Sequence, residues 1–344
     1  MKNLLAVVFL LGLISCGIDN EVHDPNESEL PPYTPVALVN PEQEDVFLEP
    51  APQPVDILLV VDKSCSMLDD TTALNLGFVS FINYVTEHNL DYHIGLITTS
   101  NNEAVGAGKL VEFMNYSFIT PQTPDPIMIL SGMNIAAASQ GEIEAGIDAL
   151  SAAMGPRLRR GENTDFFRHG VPLQIVTITD EEDQSHFWTP KSLVLRLFHW
   201  MADHQNTVYY SAILTLPESW ETCDYAVYSE TIGYKYLEVV ERVNGMAIDI
   251  CQNDWSIALE AMAEYATPDP IPEYMLKEHP LLDEEHTIKV LVERDPVTLS
   301  FENEGDWTYD PDRNSVWIHT TSDGEAYEHQ ENDRVKISYT VDMY

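Results

Sequence analysis

The sequence predicts an α/β fold, in which helices flank a doubly wound, mostly parallel sheet and a small β module follows at the C-terminal end. Residues 57–61 form an unbroken apolar run, as expected of a strand buried on both faces. From residue 56 onward, strand-like and helix-like segments alternate, which favours a parallel sheet. Near the end, strand-like runs at 287–293, 315–319 and 335–341 are separated by turn residues and predict the β module.

The first 16 residues have the pattern of a secretory signal. They contain one basic residue, Lys2, then a short apolar core and a small residue before Cys16, and they are too short to span a bilayer. Residues 13–16, Leu-Ile-Ser-Cys, resemble a bacterial lipobox, which implies a signal peptide at 1–15 and a lipid anchor on Cys16. Gly17 after the cysteine favours the outer membrane, on its periplasmic or cell-surface face. The alternative is an ordinary signal peptide with an incidental cysteine.

The composition bounds the partners that the protein can have. The chain has 344 residues and a formal net charge of −40, so its surface repels nucleic acid and anionic membranes. We therefore expect no nucleic-acid partner, and contact with a membrane only through the lipid anchor. Residues 16–54 are acidic and rich in proline, which predicts an extended tether, although residues 46–48 could lie against the folded domain.

The predicted large domain covers residues 55–266. It is followed by a linker at 267–285 that begins with three prolines in six residues, and by the β module at 286–344. Within the large domain, the pattern predicts strands at 55–61, 92–99, 171–180, 208–215 and 247–250, a loop or hairpin at 106–120, and helices at 73–90, 142–154, 192–202, 233–245 and 255–265. The fourth of these helices is expected to end at Gly245.

A candidate metal site follows the first predicted strand. Asp62, Ser64 and Ser66 place three hard oxygen donors within five residues, a set that suits Mg²⁺, Mn²⁺ or Ca²⁺. The strand at 171–180 also ends in a carboxylate, Asp180. If the two strands are neighbours, both carboxylates converge at the edge of the sheet where ligands bind. The alternative for the first loop is a helix N-cap made by Asp and Ser.

These residues resemble a known family. The motif Asp-x-Ser-x-Ser at 62–66, the segments His-Ile-Gly-Leu-Ile-Thr-Thr at 93–99 and Thr-Asp-Glu-Glu-Asp-Gln-Ser at 179–185, and Asp-Ile-Cys-Gln-Asn-Asp-Trp at 249–255 are similar to the von Willebrand factor A (vWA) domains of bacterial lipoproteins. The resemblance covers about residues 55–266. It implies a Rossmann-like fold with a metal-ion-dependent adhesion site (MIDAS), in which Asp62, Ser64, Ser66 and Asp180 hold a divalent cation. We expect Mg²⁺, with Mn²⁺ or Ca²⁺ as alternatives.

One family ligand is absent from this chain. The family donates a threonine to the metal from the loop before the helix predicted at 142–154, and residues 139–146 contain none. Glu142 is the nearest substitute, with Ser139 or Glu144 as alternatives, and Glu142 equally fits a first-turn acid that interacts with the helix dipole. After Asp180, the acids at 181–183 form either a solvated acidic loop or a second cation site.

Three cysteines remain beside Cys16. Cys223 and Cys251 flank the helix predicted at 233–245, and an oxidising exterior favours a disulfide between them. Cys65 lies inside the metal motif and is expected to be buried and inert, although its pairing with either of the other two stays open.

The function that this reading favours is binding. A protein partner would supply an Asp or Glu carboxylate to the cation, so the chain is not expected to be an enzyme. The alternatives are a structural envelope protein with a degenerate metal site and a metal-dependent phosphohydrolase of the haloacid-dehalogenase type, which needs an Asp where Ser64 stands. The basic residues Arg157, Arg159 and Arg160 either contact an acidic patch or belong to a solvated loop.

Overall fold

The computed structural model describes residues 41–68, 70–102, 107–137, 143–220, 231–251, 255–266, 272–283, 287–301, 305–320, 324, 326–330 and 332–341. In chain order the strands are β1 (Glu42–Phe47), β2 (Gln53–Val61), β3 (Leu90–Thr98), β4 (Phe118–Ile119), β5 (Leu173–Ile178), β6 (Val208–Leu214), β7 (Met246–Asp249), β8 (Glu273–Met275), β9 (Lys289–Arg294), β10 (Val297–Phe301), β11 (Trp307–Asp310), β12 (Ser315–Ile318) and β13 (Arg334–Thr340). The helices are α1 (Asp70–Glu87), α2 (Pro126–Ala136), α3 (Gly146–Ala153), α4 (Pro156–Arg159), α5 (Pro190–His204), α6 (Tyr234–Val243) and α7 (Trp255–Ala266).

The largest sheet has six strands in the order β4-β3-β2-β5-β6-β7. All its neighbours pair in parallel except β4, which is antiparallel to β3. Successive residues of β2 point to opposite faces, and both faces are buried. Ile57, Leu59 and Val61 belong to one hydrophobic core, whereas Leu58 and Val60 belong to the other. This double burial is the reason for the unbroken apolar run in the sequence.

Helices supply the other half of each of these two cores. Side chains from α1, α2 and α7 pack with the first core, and those from α3, α5 and α6 pack with the second. No helix among the described residues is both long enough and apolar enough to cross a lipid bilayer.

Two further sheets make up a β-rich part of the molecule. One has the order β1-β13-β9-β10 and the other β11-β12-β8, and every pairing in them is antiparallel. They share a third hydrophobic core, to which Tyr274, Val292, Val316, Ile337 and Tyr339 contribute fully buried side chains.

The predicted fold class is therefore wrong for this chain. Seven of the thirteen strands in the described residues lie in antiparallel sheets, and the chain is not defined by a doubly wound sheet with a small appendage. The described residues form a mixed α/β structure with three sheets, one of which is mostly parallel. The long apolar runs of β2 and β5 dominated the sequence pattern, while shorter strands with mixed composition went undetected.

Two of these undetected strands lie in segments predicted as tether and linker. β1 lies within 16–54 and pairs with β13 from Glu42↔Thr340 to Phe47↔Val335. β8 lies within 267–285 and pairs with β12. The only fully buried side chain of β1 is an acid, Asp45, so a search for alternating apolar residues cannot find this strand.

The helices also differ in detail from the sequence pattern. α2 was not predicted, and α3 begins at Gly146 rather than at residue 142. The residue that takes the left-handed conformation at the end of α6 is Asn244, with φ 54°, and not Gly245. Asparagine tolerates this conformation better than most residues do, since its short polar side chain bonds locally.

Candidate functional site

The site lies where two neighbouring parallel strands end. β2 pairs with β5 up to Val61↔Ile178, and the backbone amide of Asp62 donates to the carbonyl of Ile178 at 2.9 Å. The next residues along each strand are Asp62 and Thr179, followed by Asp180. The strands that lead to Asp62 and Asp180 are therefore neighbours, which is the condition for their carboxylates to converge.

Hydrogen bonds connect the four predicted ligands that the structure describes. The Ser66 hydroxyl donates to Oδ1 of Asp180 at 3.0 Å, and the Ser64 and Ser66 hydroxyl oxygens are 2.7 Å apart. The Ser64 amide donates to Oδ1 of Asp62 at 2.8 Å, and the Thr179 hydroxyl donates to Oδ2 at 2.5 Å. Carboxylate and hydroxyl oxygens from both loops therefore lie in one network.

The buried carboxylate of Asp62 sets the electrostatics of the site. Asp62 is 0 % exposed, and burial raises its pKa, against hydrogen bonds from Thr179 and Ser64 and the nearby charge of Lys63. Asp180 is only 5 % exposed. A divalent cation would favour the ionised form of both carboxylates, and oxygen-only donors are the set that Mg²⁺, Mn²⁺ and Ca²⁺ prefer. The residues present thus fit a hard cation.

Carboxylates and imidazoles alone do not make a metal cluster here. Among the described residues, no group of three or more His, Cys, Asp or Glu side chains is arranged to hold an ion. Any cation at this site would therefore depend on the serine hydroxyls as well as on Asp62 and Asp180.

Several predicted site residues lie outside the described residues: Cys16, Ser139, Glu142 and Cys223. The substitution of Glu142 for the family threonine thus stays a prediction. Glu144, one of its alternatives, is 6 % exposed and accepts a 2.7 Å hydrogen bond from Nε2 of Gln184.

The cysteines differ partly from expectation. Cys65 is a free thiol, but it is exposed, so the expectation that it is buried is wrong. Cys251 takes part in a disulfide, whose other half lies outside the described residues, and its predicted pairing with Cys223 stays a prediction.

Two residues of the site, Thr179 and Lys63, were missed in the sequence, and Glu181 was considered only for a second cation or a solvated loop. Thr179 bonds to Asp62, and Oε1 of Glu181 lies 3.3 Å from the Ser66 hydroxyl. Lys63 is 5 % exposed and donates to Oδ1 of Asn134 on α2, and burial lowers its pKa to about 8, against the effect of Asp62. The only sign of their role in the sequence is their position. Lys63 follows Asp62, and Thr179 and Glu181 lie on either side of Asp180.

In the acidic loop after β5, Asp183 is buried and hydrogen bonded to neighbouring elements. The expectation of a solvated loop is therefore wrong for this residue. Asp183 is 2 % exposed and accepts from the Ile147 amide at 3.1 Å, the Ser185 hydroxyl at 2.8 Å and the Tyr236 hydroxyl at 3.2 Å. These bonds join α3, α6 and the loop. They also require a glycine at position 146, where a Cβ would lie 2.5 Å from the Tyr236 hydroxyl oxygen.

A second carboxylate fixes the end of the same loop. Asp148 on α3 accepts backbone hydrogen bonds from His186 at 3.0 Å, from Phe187 at 3.2 Å and from Trp188 at 2.8 Å. The Phe187 side chain remains 85 % exposed. The loop beside the candidate metal site thus presents an aromatic ring to solvent on a well-bonded backbone.

Comparisons with known proteins give no family for this chain. No protein-family model and no curated protein matches it. Among solved structures, the open conformation of the pilus adhesin SpaC from Lactobacillus rhamnosus GG is similar, with 13% identity and a TM-score of 0.37 over 88% of this chain and 41% of that one. Proximal thread matrix protein 1 from the mussel byssus has 11% identity and a TM-score of 0.36 over 65% of this chain and 48% of that one. The chain spans less than half of each neighbour, and likeness at these scores carries no argument about function.

Proposed function

We propose that this protein binds a partner through a divalent cation held by Asp62, Ser64, Ser66 and Asp180. The observation that carries the proposal is the contact of the Ser66 hydroxyl with both Ser64 and Asp180, which unites the loops after β2 and β5. Four oxygen-bearing side chains from two loops meet at the carboxyl edge of the sheet, the place where open α/β sheets bind ligands.

The cation would supply positive charge for a carboxylate on the partner. Its charge is little screened where the ligands are buried, so it would provide much of the affinity. The chain carries a net charge of −40, and a partner carboxylate would therefore need basic residues around it. Mg²⁺ is our first expectation for the ion, with Mn²⁺ or Ca²⁺ as alternatives.

We propose binding without chemistry on the partner. A phosphohydrolase of the kind considered above uses a second aspartate two residues after the first, as a general acid. Position 64 is a serine, and its hydroxyl is engaged with Ser66 at 2.7 Å. The same proposal places the protein outside the cytoplasm, anchored at Cys16, with the partner on an opposing surface or in the same envelope.

Titration calorimetry of the purified protein with MgCl₂, MnCl₂ and CaCl₂ tests the cation site. We expect saturable binding that Asp62→Asn and Ser66→Ala weaken by more than about tenfold, because the first removes the negative charge of a ligand and the second removes a hydroxyl oxygen. Asp203→Asn on α5 makes the same charge change at an exposed position and should leave the affinity unaltered. Absence of binding by the unaltered protein would refute the proposal.

A short peptide with one aspartate between lysines, Lys-Lys-Asp-Lys-Lys, tests the partner chemistry. We expect it to bind in the presence of the preferred cation and to be released by EDTA. Its Asp→Asn counterpart retains the lysines and should not bind. Equal binding of both peptides would show that charge attraction alone holds them, against the proposed ligation.

A further inference from the structure

Two arginines on the face formed by α4 and α5 are held by aromatic rings and not by acids. Arg159 places its guanidinium carbon 4.8 Å from the centroid of the Trp200 ring. Arg196 places its own 5.0 Å from the centroid of Trp188. In the part of the chain that the structure describes, neither guanidinium has a carboxylate partner, although the protein has 57 acidic residues.

The second partner of Arg159 is a neutral histidine. Nδ1 of His204 lies 3.1 Å from the carbonyl oxygen of Trp200, so it carries the proton and donates. The other ring nitrogen, Nε2, then accepts from Nη1 of Arg159. Burial lowers the pKa of His204, which favours this uncharged form. Arg159 is therefore positioned by hydrogen bonding and stacking, but its charge is not neutralised.

Polar atoms on this face of α4 and α5 lack the partners that would satisfy them. The Nε atoms of Arg159 and Arg196 are buried without hydrogen-bond partners, and so is Nε1 of Trp200, a side chain only 5 % exposed. The two guanidiniums also repel each other, since Arg159 adds to the effect of burial in lowering the pKa of Arg196. Half-buried cations without a neutralising partner are costly, and an anion that contacted both would offset the cost.

We propose that Arg159 and Arg196 bind a phosphate monoester group. A phosphate monoester carries nearly two negative charges near neutral pH, which matches two guanidiniums, whereas one carboxylate matches one. Arg157 and Arg160 are exposed beside the pair and would attract such an anion to an otherwise acidic surface. A phosphate monoester free in solution and one on a lipid headgroup share this chemistry. The inference is independent of the cation site.

Titration of the full chain with inorganic phosphate, followed by tryptophan fluorescence and calorimetry at constant ionic strength, tests the proposal. We expect saturable binding that Arg159→Gln and Arg196→Gln each weaken on the order of tenfold or more. Arg242→Gln is the matched control, because it removes the same charge from an arginine paired with Glu238 on α6. Its affinity for phosphate should equal that of the unaltered protein.

Vesicles distinguish the two sources of phosphate. Flotation is compared between phosphatidylcholine vesicles that contain phosphatidic acid, a monoester, and those that contain phosphatidylglycerol, a diester. Binding to the first that is lost in Arg159→Gln and Arg196→Gln assigns the site to a lipid headgroup, and binding of inorganic phosphate alone assigns it to a soluble ligand. Either result supports the site.

Failure of the unaltered protein to bind phosphate in both settings overturns the proposal, as does an equal loss in Arg242→Gln. Should circular dichroism show that the glutamine variants do not fold, Arg196→Lys replaces them. Lysine retains the charge and loses the planar fork, so binding should weaken without disappearing. Unaltered binding by a folded Arg196→Lys together with a folded Arg159→Lys would count against recognition by guanidinium groups.

Discussion

Three carboxylates are almost wholly buried in the β-rich part, and each has a cationic partner. Glu273 pairs with Arg313 at 2.7 Å, Asp333 with Arg294 at 2.7 Å, and Asp45 with Nζ of Lys277 at 3.3 Å. Tyrosine hydroxyls donate further hydrogen bonds to two of these carboxylates: Tyr339 to Asp45, and Tyr327 to Asp333. Removing the partner of such a carboxylate is costly, since a buried charge is then left unpaired, although the cationic side chains are themselves partly exposed.

The pKa of Asp333 gives this pair a definite pH dependence. Burial works against ionisation of Asp333, but hydrogen bonds from Arg294, the Gln330 amide and Tyr327 outweigh it, so the pKa lies below its ordinary value of 3.8. The folded state then binds fewer protons than the unfolded state near that value. The stability contributed by Asp333 is therefore present above pH 3.8 and is lost as the pH falls through the lowered pKa.

Asp333→Asn is expected to lower the free energy of unfolding by about 2 kcal/mol at pH 7, because Arg294 loses its charged partner. The difference from the unaltered protein should shrink below pH 4, where the aspartate becomes protonated. Urea denaturation at several pH values measures both quantities. Asp312→Asn, at an exposed turn, is the control, and a pH-independent difference for Asp333→Asn would contradict the assignment.

At the scale of elements, the loop that follows β5 takes its shape from α3. Asp148 accepts from three consecutive backbone amides, those of residues 186–188. One carboxylate therefore substitutes for the regular partners that a strand or helix would give these amides. The position of Phe187 in this loop depends on a residue almost forty positions earlier in the chain.

Asp148→Ala should release this loop without unfolding the sheet. We expect hydrogen exchange at the amides of residues 186–188 to accelerate on the order of tenfold or more, while amides in β5 keep their protection. Mass spectrometry of exchanged peptides provides the measurement. Asp203→Ala removes an exposed carboxylate from the adjoining helix and should change neither segment. Unchanged exchange in Asp148→Ala would mean that other contacts hold the loop.

Elements with a distinctive local sequence pattern could be predicted, and elements or contacts that depend on residues far away in the chain could not. Residues 57–61 predicted β2 because both of its faces are apolar, and Asp62, Ser64, Ser66 and Asp180 followed from the ends of two such strands. The roles of Thr179, Asp148 and Asp183 rest on contacts across 36 to 117 positions, which composition does not reveal. β1 stayed hidden because its buried residue is a paired acid, Asp45.

At the scale of the whole molecule, the chain begins and ends its described course in the same sheet. β1 pairs with β13, and the chain then continues into β2 of the six-stranded sheet. The Ala51 amide donates to the carbonyl of Glu273 at 2.6 Å, so the connection between β1 and β2 also contacts β8. The β-rich part is therefore built from two stretches of sequence. One precedes the strands of the six-stranded sheet, and the other follows them.

A fragment of residues 41–344 should be more stable than one of residues 50–344. The shorter fragment lacks β1, leaves β13 as an unpaired edge and removes Asp45 from Tyr339 and the Lys277 amide. We expect its unfolding midpoint to be lower by about 5 °C or more, with a greater tendency to associate. Calorimetry and light scattering measure the two effects. Equal midpoints would show that β1 adds nothing to the sheet.

The pairing of β1 with β13 also sets an order of events during synthesis of the chain. Glu42 and Thr340, whose side chains are hydrogen bonded, are 298 positions apart, so β1 emerges long before its partner exists. The six-stranded sheet and the helices that pack on it are complete at α7, which ends at Ala266, and can form meanwhile. Until β13 has been made, β1 is an unpaired strand that can pair with the wrong partner. Completion of the β-rich part is thus a late step, because it waits for residues 334–340.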